Sequence, residues 1–195
     1  MTKDKIFKNL LGFFEEFLHI LPDAHNQINS LKKGIFIESS RNKSFRPQIL
    51  KELFSQFLTD DERAKLFDLP EGCRMREGVK IYSPENLIIG KHCWIGKDAI
   101  LDSTGGLIIG SHTTIGPSVF IWSHSSHLAN ITLNNFIGNG YFSKRQTVIG
   151  DGCFISGSSV IYPGVKIGER CIINPLSRVD RDLPPRTVFD NNYVK

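Results

Sequence analysis

From about residue 79 the apolar positions of the chain fall on a period of six. Ile89, Ile95 and Leu101 recur at that interval, then Ile109, Ile115 and Ile121, then Ile149, Ile155, Ile161, Ile167, Ile173 and Val179. Glycine often follows the aliphatic residue, as at Gly90, Gly96, Gly110, Gly116, Gly150 and Gly168. Four positions after the aliphatic stands a small or short-branched residue: Cys93, Ala99, Thr113, Val119, Cys153, Ser159, Val165, Cys171 or Ser177. A period of six is neither helical nor the alternation of a simple hairpin; it is the repeat of a parallel β-helix. Three six-residue sides complete one triangular coil. The aliphatic side chain points into the narrow prism, and the residue four places on faces the interior near a corner, where little volume remains. Glycine after the aliphatic is expected to accommodate a tight backbone path.

Two features break the period. "IYSPENLIIG" (81–90) returns as "LDSTGGLIIG" (101–110), and in both the step between aliphatics is eight, from Ile81 to Ile89 and from Leu101 to Ile109. Two successive coils therefore carry a stacked two-residue bulge, and bulges re-aim side chains; this one presents Asp102, Ser103 and Thr104. After Ile121 the next aliphatic in register is Ile149, 28 residues on. The intervening segment opens with "WSHSSHL", ends with Lys144 and Arg145, and is too long for a corner, so a protruding loop over about 122–147 is expected. Loops of that length in a compact domain are commonly functional.

Before the coil the period is helical. Ile6, Leu10, Phe13, Phe14, Phe17 and Leu21 make one amphipathic helix, with Pro22 as its stop. Ile49, Leu50, Leu53, Phe54 and Phe57 suggest a second, after Pro47. Thr59 with Glu62 three residues on is a capping box for a short third helix, "DDERAKLF". The first helix could lie on a membrane surface, but its polar face mixes Lys with Glu15 and Glu16, which weakens attraction to anionic lipid; a cap packed on the coil is the better reading. The expected organisation is a helical region over 1–70, a mainly β domain over 71–184 and a tail over 185–195.

Composition narrows the function classes. The net charge is +4 and is spread out: residues 1–80 carry 14 Lys and Arg against 12 Asp and Glu. No basic stripe marks a nucleic-acid binder. No stretch approaches the ~18–20 apolar residues of a membrane span, and no secretory leader is recognisable, so a cytoplasmic location is expected. The four cysteines show no paired metal spacing. Cys93, Cys153 and Cys171 read as small core residues, and Cys73 falls outside the pattern. His92 and His112 sit three places after an aliphatic, at exposed turns.

The stretch "IGPSVFIWSHSSHL", the loop, and "VIGDGCFISGSSVIYPGVKIGERCIINPLSRVDRDLPP" together resemble the hexapeptide-repeat acyltransferases, in particular the galactoside, maltose and polysaccharide O-acetyltransferase branch. The likeness spans about residues 79–185. It implies a left-handed parallel β-helix, a homotrimer with active sites between subunits, acetyl-CoA lying along the coils after the loop, and a histidine general base. In relatives that histidine falls five residues after the aliphatic that opens the side. Here the slot is Ser126, with His127 one place later and His124 two places earlier. A "D-x-D-x-H" form found in other branches fits Ser123, Ser125 and His127, so His127 is the first candidate and His124 the second.

The resemblance also places acceptor and donor contacts. Asp102 corresponds, with a one-residue shift, to acidic residues that meet the acceptor sugar, and Trp122 could stack on sugar or pantetheine. Gly157, Pro175, Asp180 and Arg181 occupy donor positions. The family's closing "GNPA" is replaced by "TVFDNNYVK", for which Lys144 and Arg145 could compensate at the CoA phosphates. No metal is expected. Three alternatives stand beside O-acetylation of a sugar, with a surface polysaccharide or its precursor as one acceptor: N-acetylation of an amino-sugar nucleotide, a zinc hydratase of carbonic-anhydrase type on the same coil, and a non-catalytic scaffold.

Overall fold

The computed structural model describes residues 49, 51–53, 55–132 and 143–190. It divides into two units, 1–57 and 58–195. In the first, residues 49, 51–53 and 55 are helical, in agreement with the spacing from Ile49 onward, and Ser55 Oγ donates to the Glu52 carbonyl at 2.6 Å. The amphipathic helix expected over residues 5–21 lies outside the described residues, as do Leu50 and Phe54.

The second unit is a mainly β, left-handed parallel β-helix built from three parallel sheets, one per side of the coil. One sheet stacks Arg74–Met75, Trp94–Ile95, Thr114–Ile115, Phe154–Ile155, Ile172–Ile173 and Val188–Phe189. The next stacks Lys80–Tyr82, Ile100–Asp102, Phe120–Ile121, Val160–Ile161 and Arg178–Val179, and the third Leu87–Ile89, Leu107–Ile109, Thr147–Ile149 and Lys166–Ile167. The six-residue period becomes a column: Ile95, Ile115, Ile155 and Ile173 lie in register, all at 0% exposure. Burial of such columns is the main favourable term in this fold.

The coil extends past both limits of the aliphatic pattern. Arg74–Met75 pairs with Trp94–Ile95, which brings Cys73 level with Cys93, and the Cys93 amide lies 3.4 Å from Cys73 Sγ. Cys73 is thus one more small corner residue, four places after Leu69, which packs against the core. At the other end Val188–Phe189 is the last paired strand, inside the stretch read as a tail. All four cysteines are free and buried. Burial pushes the Cys93 thiol up to about 11 and raises that of Cys153, so both stay protonated and inert.

Helix α1 (Asp60–Leu66) packs against Arg74–Met75 of the first coil. The Glu62 carboxylate accepts from Thr59 N at 2.9 Å, its half of the capping box, and also from Thr59 Oγ1 at 2.8 Å. Ala64 joins the core, and the Arg63 guanidinium donates to the Met75 carbonyl at 2.7 Å, satisfying a group on the first rung.

The role expected of the glycines needs correction. The left-handed backbone conformation at the corners belongs to the residue three places after each aliphatic, with φ of 57° at His92, 56° at Asp98 and 58° at Ser158. The glycine directly after the aliphatic serves close approach instead. A Cβ at Gly116 would lie 2.6 Å from the Gly157 amide nitrogen and 2.7 Å from the Ile155 carbonyl of the next coil. His92 and His112 are exposed, as expected, and their rings stack at 4.9 Å between centroids.

Candidate active site

The chain leaves the coil after Phe120–Ile121 and returns at Thr147–Ile149. Thr147 Oγ1 donates to the Trp122 carbonyl at 2.7 Å and accepts from Gly164 N at 3.0 Å, which ties both ends of the excursion to one corner. Between them His124–Ser125 pairs antiparallel with Ser143–Lys144, and Arg145 N donates to the Ser123 carbonyl at 2.8 Å. A short helix, α2 (His127–Ile131), follows the outgoing strand and buries Ala129. Gly105 lies flat beneath this ribbon, because a Cβ there would collide with the Ser123 carbonyl.

The ribbon's departure is organised by one carboxylate. Asp102 ends a rung of the second sheet, and since Leu101 stacks on Ile121 it lies beside the chain as that chain leaves the coil. Its Oδ2 accepts from Ser123 N at 2.8 Å, His124 N at 3.0 Å and Ser123 Oγ at 3.3 Å, and lies 2.7 Å from His124 Nδ1. Its Oδ1 accepts from Thr104 Oγ1 at 2.6 Å and Thr104 N at 3.1 Å. Burial works to raise the Asp102 pKa, but the Thr104 hydroxyl, the Ser123 amide and the His124 ring outweigh it and hold the carboxyl below its usual range. An ionised carboxylate only accepts, so Nδ1 of His124 carries the proton.

Two of the expected site residues differ in their surroundings. Asp102 has 0% exposure, and its Oδ2 lies 2.7 Å from His124 Nδ1. His127, the first candidate for the base, is exposed, and its Nδ1 lies 2.7 Å from Ser125 Oγ rather than on a carboxylate. The slot five places after Ile121, Ser126, lies past the point where the chain turns into the ribbon.

A cleft of about 500 Å³ brings together Trp122, His124, His127, Arg145 and Asp180 of the candidate residues, with Ser125, Ser143, Val160, Tyr162 and Pro163. Asp180 accepts from the Arg178 guanidinium at 2.7 Å, and Arg178 stands 5.5 Å over the Tyr162 ring. Gly157, Pro175 and Arg181 are not among the lining residues; Arg181 packs 5.7 Å from the Phe189 ring centroid. Lys144 lines a second cleft of about 480 Å³. Sequence reasoning missed Tyr162 and Pro163. The coil repeat could have found Tyr162, because Val160 and Ile161 stack on Phe120 and Ile121 and so set Tyr162 beside Trp122. Among the described residues no group of three His, Cys, Asp or Glu is placed to hold a metal ion, and no helix is long and apolar enough to cross a membrane.

The depressed Asp102 pKa has a consequence for stability. A carboxyl whose folded pKa lies below its unfolded value of about 3.9 adds stability that is present above pH ~4 and lost as pH falls through the folded value. The expected result is a steeper fall of Tm below pH ~4 in the wild type than in Asp102→Asn, measured by thermal unfolding at successive pH values.

Comparison with known proteins agrees with the coil. Residues 146–181 match the bacterial transferase hexapeptide (six repeats) family, and residues 86–121 match the hexapeptide repeat of succinyl-transferase. The putative colanic acid biosynthesis acetyltransferase WcaF of Escherichia coli is 29% identical over 120 residues, covering 60% of this chain and 61% of that protein. The chain thus spans about three fifths of that relative's length. A hexapeptide-repeat acetyltransferase from Vibrio cholerae superposes with a TM-score of 0.64 at 25% identity, over 75% of this chain and 85% of that one. Its complex with acetyl coenzyme A superposes with a TM-score of 0.61 at 24% identity, over 81% and 89%. In its two blocks of hexapeptide repeats and the coil they build, the chain is similar to the hexapeptide-repeat acetyltransferases.

Proposed function

We propose that the protein is an acetyl-CoA-dependent O-acetyltransferase acting on a sugar hydroxyl, with His124 as general base. The observation that carries this reading is the 2.7 Å contact between His124 Nδ1 and the buried Asp102 at the edge of the cleft. With Nδ1 protonated, Nε2 is the nitrogen that takes the acceptor proton as the hydroxyl oxygen attacks the thioester carbonyl. The imidazolium then returns that proton to the departing thiolate, so no covalent enzyme intermediate is required. Asp102 fixes the tautomer and stabilises the imidazolium, as a carboxylate does behind a catalytic histidine in other folds. Arg145 supplies a cation in the cleft for the donor's phosphates, and Trp122 with Tyr162 supplies aromatic surface.

The names of the relatives support the donor and the acceptor class: one is a colanic acid biosynthesis acetyltransferase, and the Vibrio cholerae structure holds acetyl coenzyme A. The reading includes a homotrimer in which a neighbouring subunit completes the cleft. Release of free CoA thiol, followed across a panel of mono- and oligosaccharides with an amino-sugar nucleotide included, tests it. Acceptor-dependent release with a sugar hydroxyl is the expected result. Release only with the amino sugar would make it an N-acetyltransferase, and near-stoichiometric zinc with no release would overturn acyl transfer.

A further inference from the structure

The second cleft has no part in the chemistry above, yet it is built by the feature that sets these coils apart from the rest. The two eight-residue steps supply Glu85 and Asn86 from one coil and Thr104, Gly105 and Gly106 from the next. Ser103 Oγ clasps the two bulges, donating at 2.7 Å to the Tyr82 carbonyl and at 2.9 Å to that of Ser83. The third wall is the returning strand of the ribbon, whose side chains alternate: Ser143 and Arg145 line the His124 cleft, while Lys144 and Gln146 line the second. The two clefts therefore share the ribbon as a common wall. One extends over the later coils at Val160–Pro163 and Asp180, the other over the earlier coils at Glu85–Ile88.

We infer that this second cleft is an acceptor subsite, holding a saccharide unit of the chain whose neighbouring unit is acetylated at His124. The inference rests on the proposed function for its substrate class and supplies the reason that the acceptor would be an oligosaccharide. The lining is what sugar hydroxyls need. Glu85 offers acceptors, Lys144 donors, and the Asn86 and Gln146 amides both, over an apolar floor at Ile88, which is 63% exposed. Among the described residues neither Glu85 nor Lys144 is held in an ion pair. A phosphate of the donor would find Lys144 here only in the company of the Glu85 carboxylate, which repels it; hydroxyls use both. The cleft also reaches the catalytic pair, because Thr104 lines it and donates its hydroxyl to Asp102 at 2.6 Å.

The test is binding, separate from turnover. Labelled wild-type protein and the variants Glu85→Gln and Asn86→Ala/Gln146→Ala are applied to an array of defined neutral and acidic oligosaccharides, and acetyl-CoA binding is titrated beside it. The expected result is that the wild type retains a subset of oligosaccharides and that both variants lose about tenfold or more in apparent affinity, with acetyl-CoA affinity unchanged. Full retention by both variants, or no oligosaccharide retained by the wild type, overturns the subsite. A sugar that is retained through these residues but supports no CoA release would instead defeat the acetyl-transfer reading and leave the saccharide site standing.

Discussion

His124→Ala lowers kcat for acetyl transfer by about 10²–10⁴-fold, whereas His127→Ala leaves it close to wild type. Both rings line the cleft, so proximity alone does not separate them. The difference is in what holds each ring. His124 is fixed through Nδ1 by a carboxylate that is itself buried and sixfold hydrogen-bonded. His127 has a serine hydroxyl for its partner and stands exposed on a five-residue helix. A general base gains from an oriented ring and a settled tautomer, and only the first histidine has both. Steady-state kinetics of the two variants, with acetyl-CoA affinity measured in parallel, checks this. The opposite ranking would return the role to His127.

Asp102→Asn, though nearly isosteric, is expected to cost about 10²–10⁴-fold in kcat and about 1–3 kcal/mol of stability. Every described partner of this carboxylate except the two hydroxyls and the ring nitrogen is a backbone N–H, which can only donate. An amide presents one acceptor and one donor. With its carbonyl toward His124, its NH₂ faces the Thr104 amide. Turned the other way, the NH₂ faces the amides of Ser123 and His124 and requires Nδ1 of His124 to accept, which puts the proton on Nε2, where the base must be empty. Either arrangement leaves donors opposed in a buried site. The check is kcat together with the unfolding midpoint in urea; a variant with wild-type kcat would remove Asp102 from the mechanism.

The coil could be read from the sequence because its six-residue period directly encodes which side chains fill the prism: Ile95, Ile115, Ile155 and Ile173 form the column that the spacing requires. The same period says nothing of φ. That is why the left-handed corners at His92, Asp98 and Ser158 went unread and the following glycines received the wrong task. The proposed pairing of Asp102 with His124 was hidden for a different reason. Asp102 and His124 are 22 residues apart and meet only because a 20-residue coil stacks Leu101 on Ile121. Counting along the loop from Ile121 looked for the histidine by local spacing. Counting across the coil, from one rung to the next, points to the residues just after Trp122. The second cleft was half visible, since the doubled bulge was plain in the sequence, but its third wall depends on a strand pairing that local patterns do not specify.

The tie among Trp122, Thr147 and Gly164 makes the excursion a handle whose two ends meet at one corner. The rungs on either side stack as though the segment between were missing: Thr147, Val148 and Ile149 lie directly on Leu107, Ile108 and Ile109. Added length between those two ends costs only the slowly growing entropy of closing a longer segment. A protein built this way can exchange one handle for another and acquire a new acceptor preference while its core registers no change.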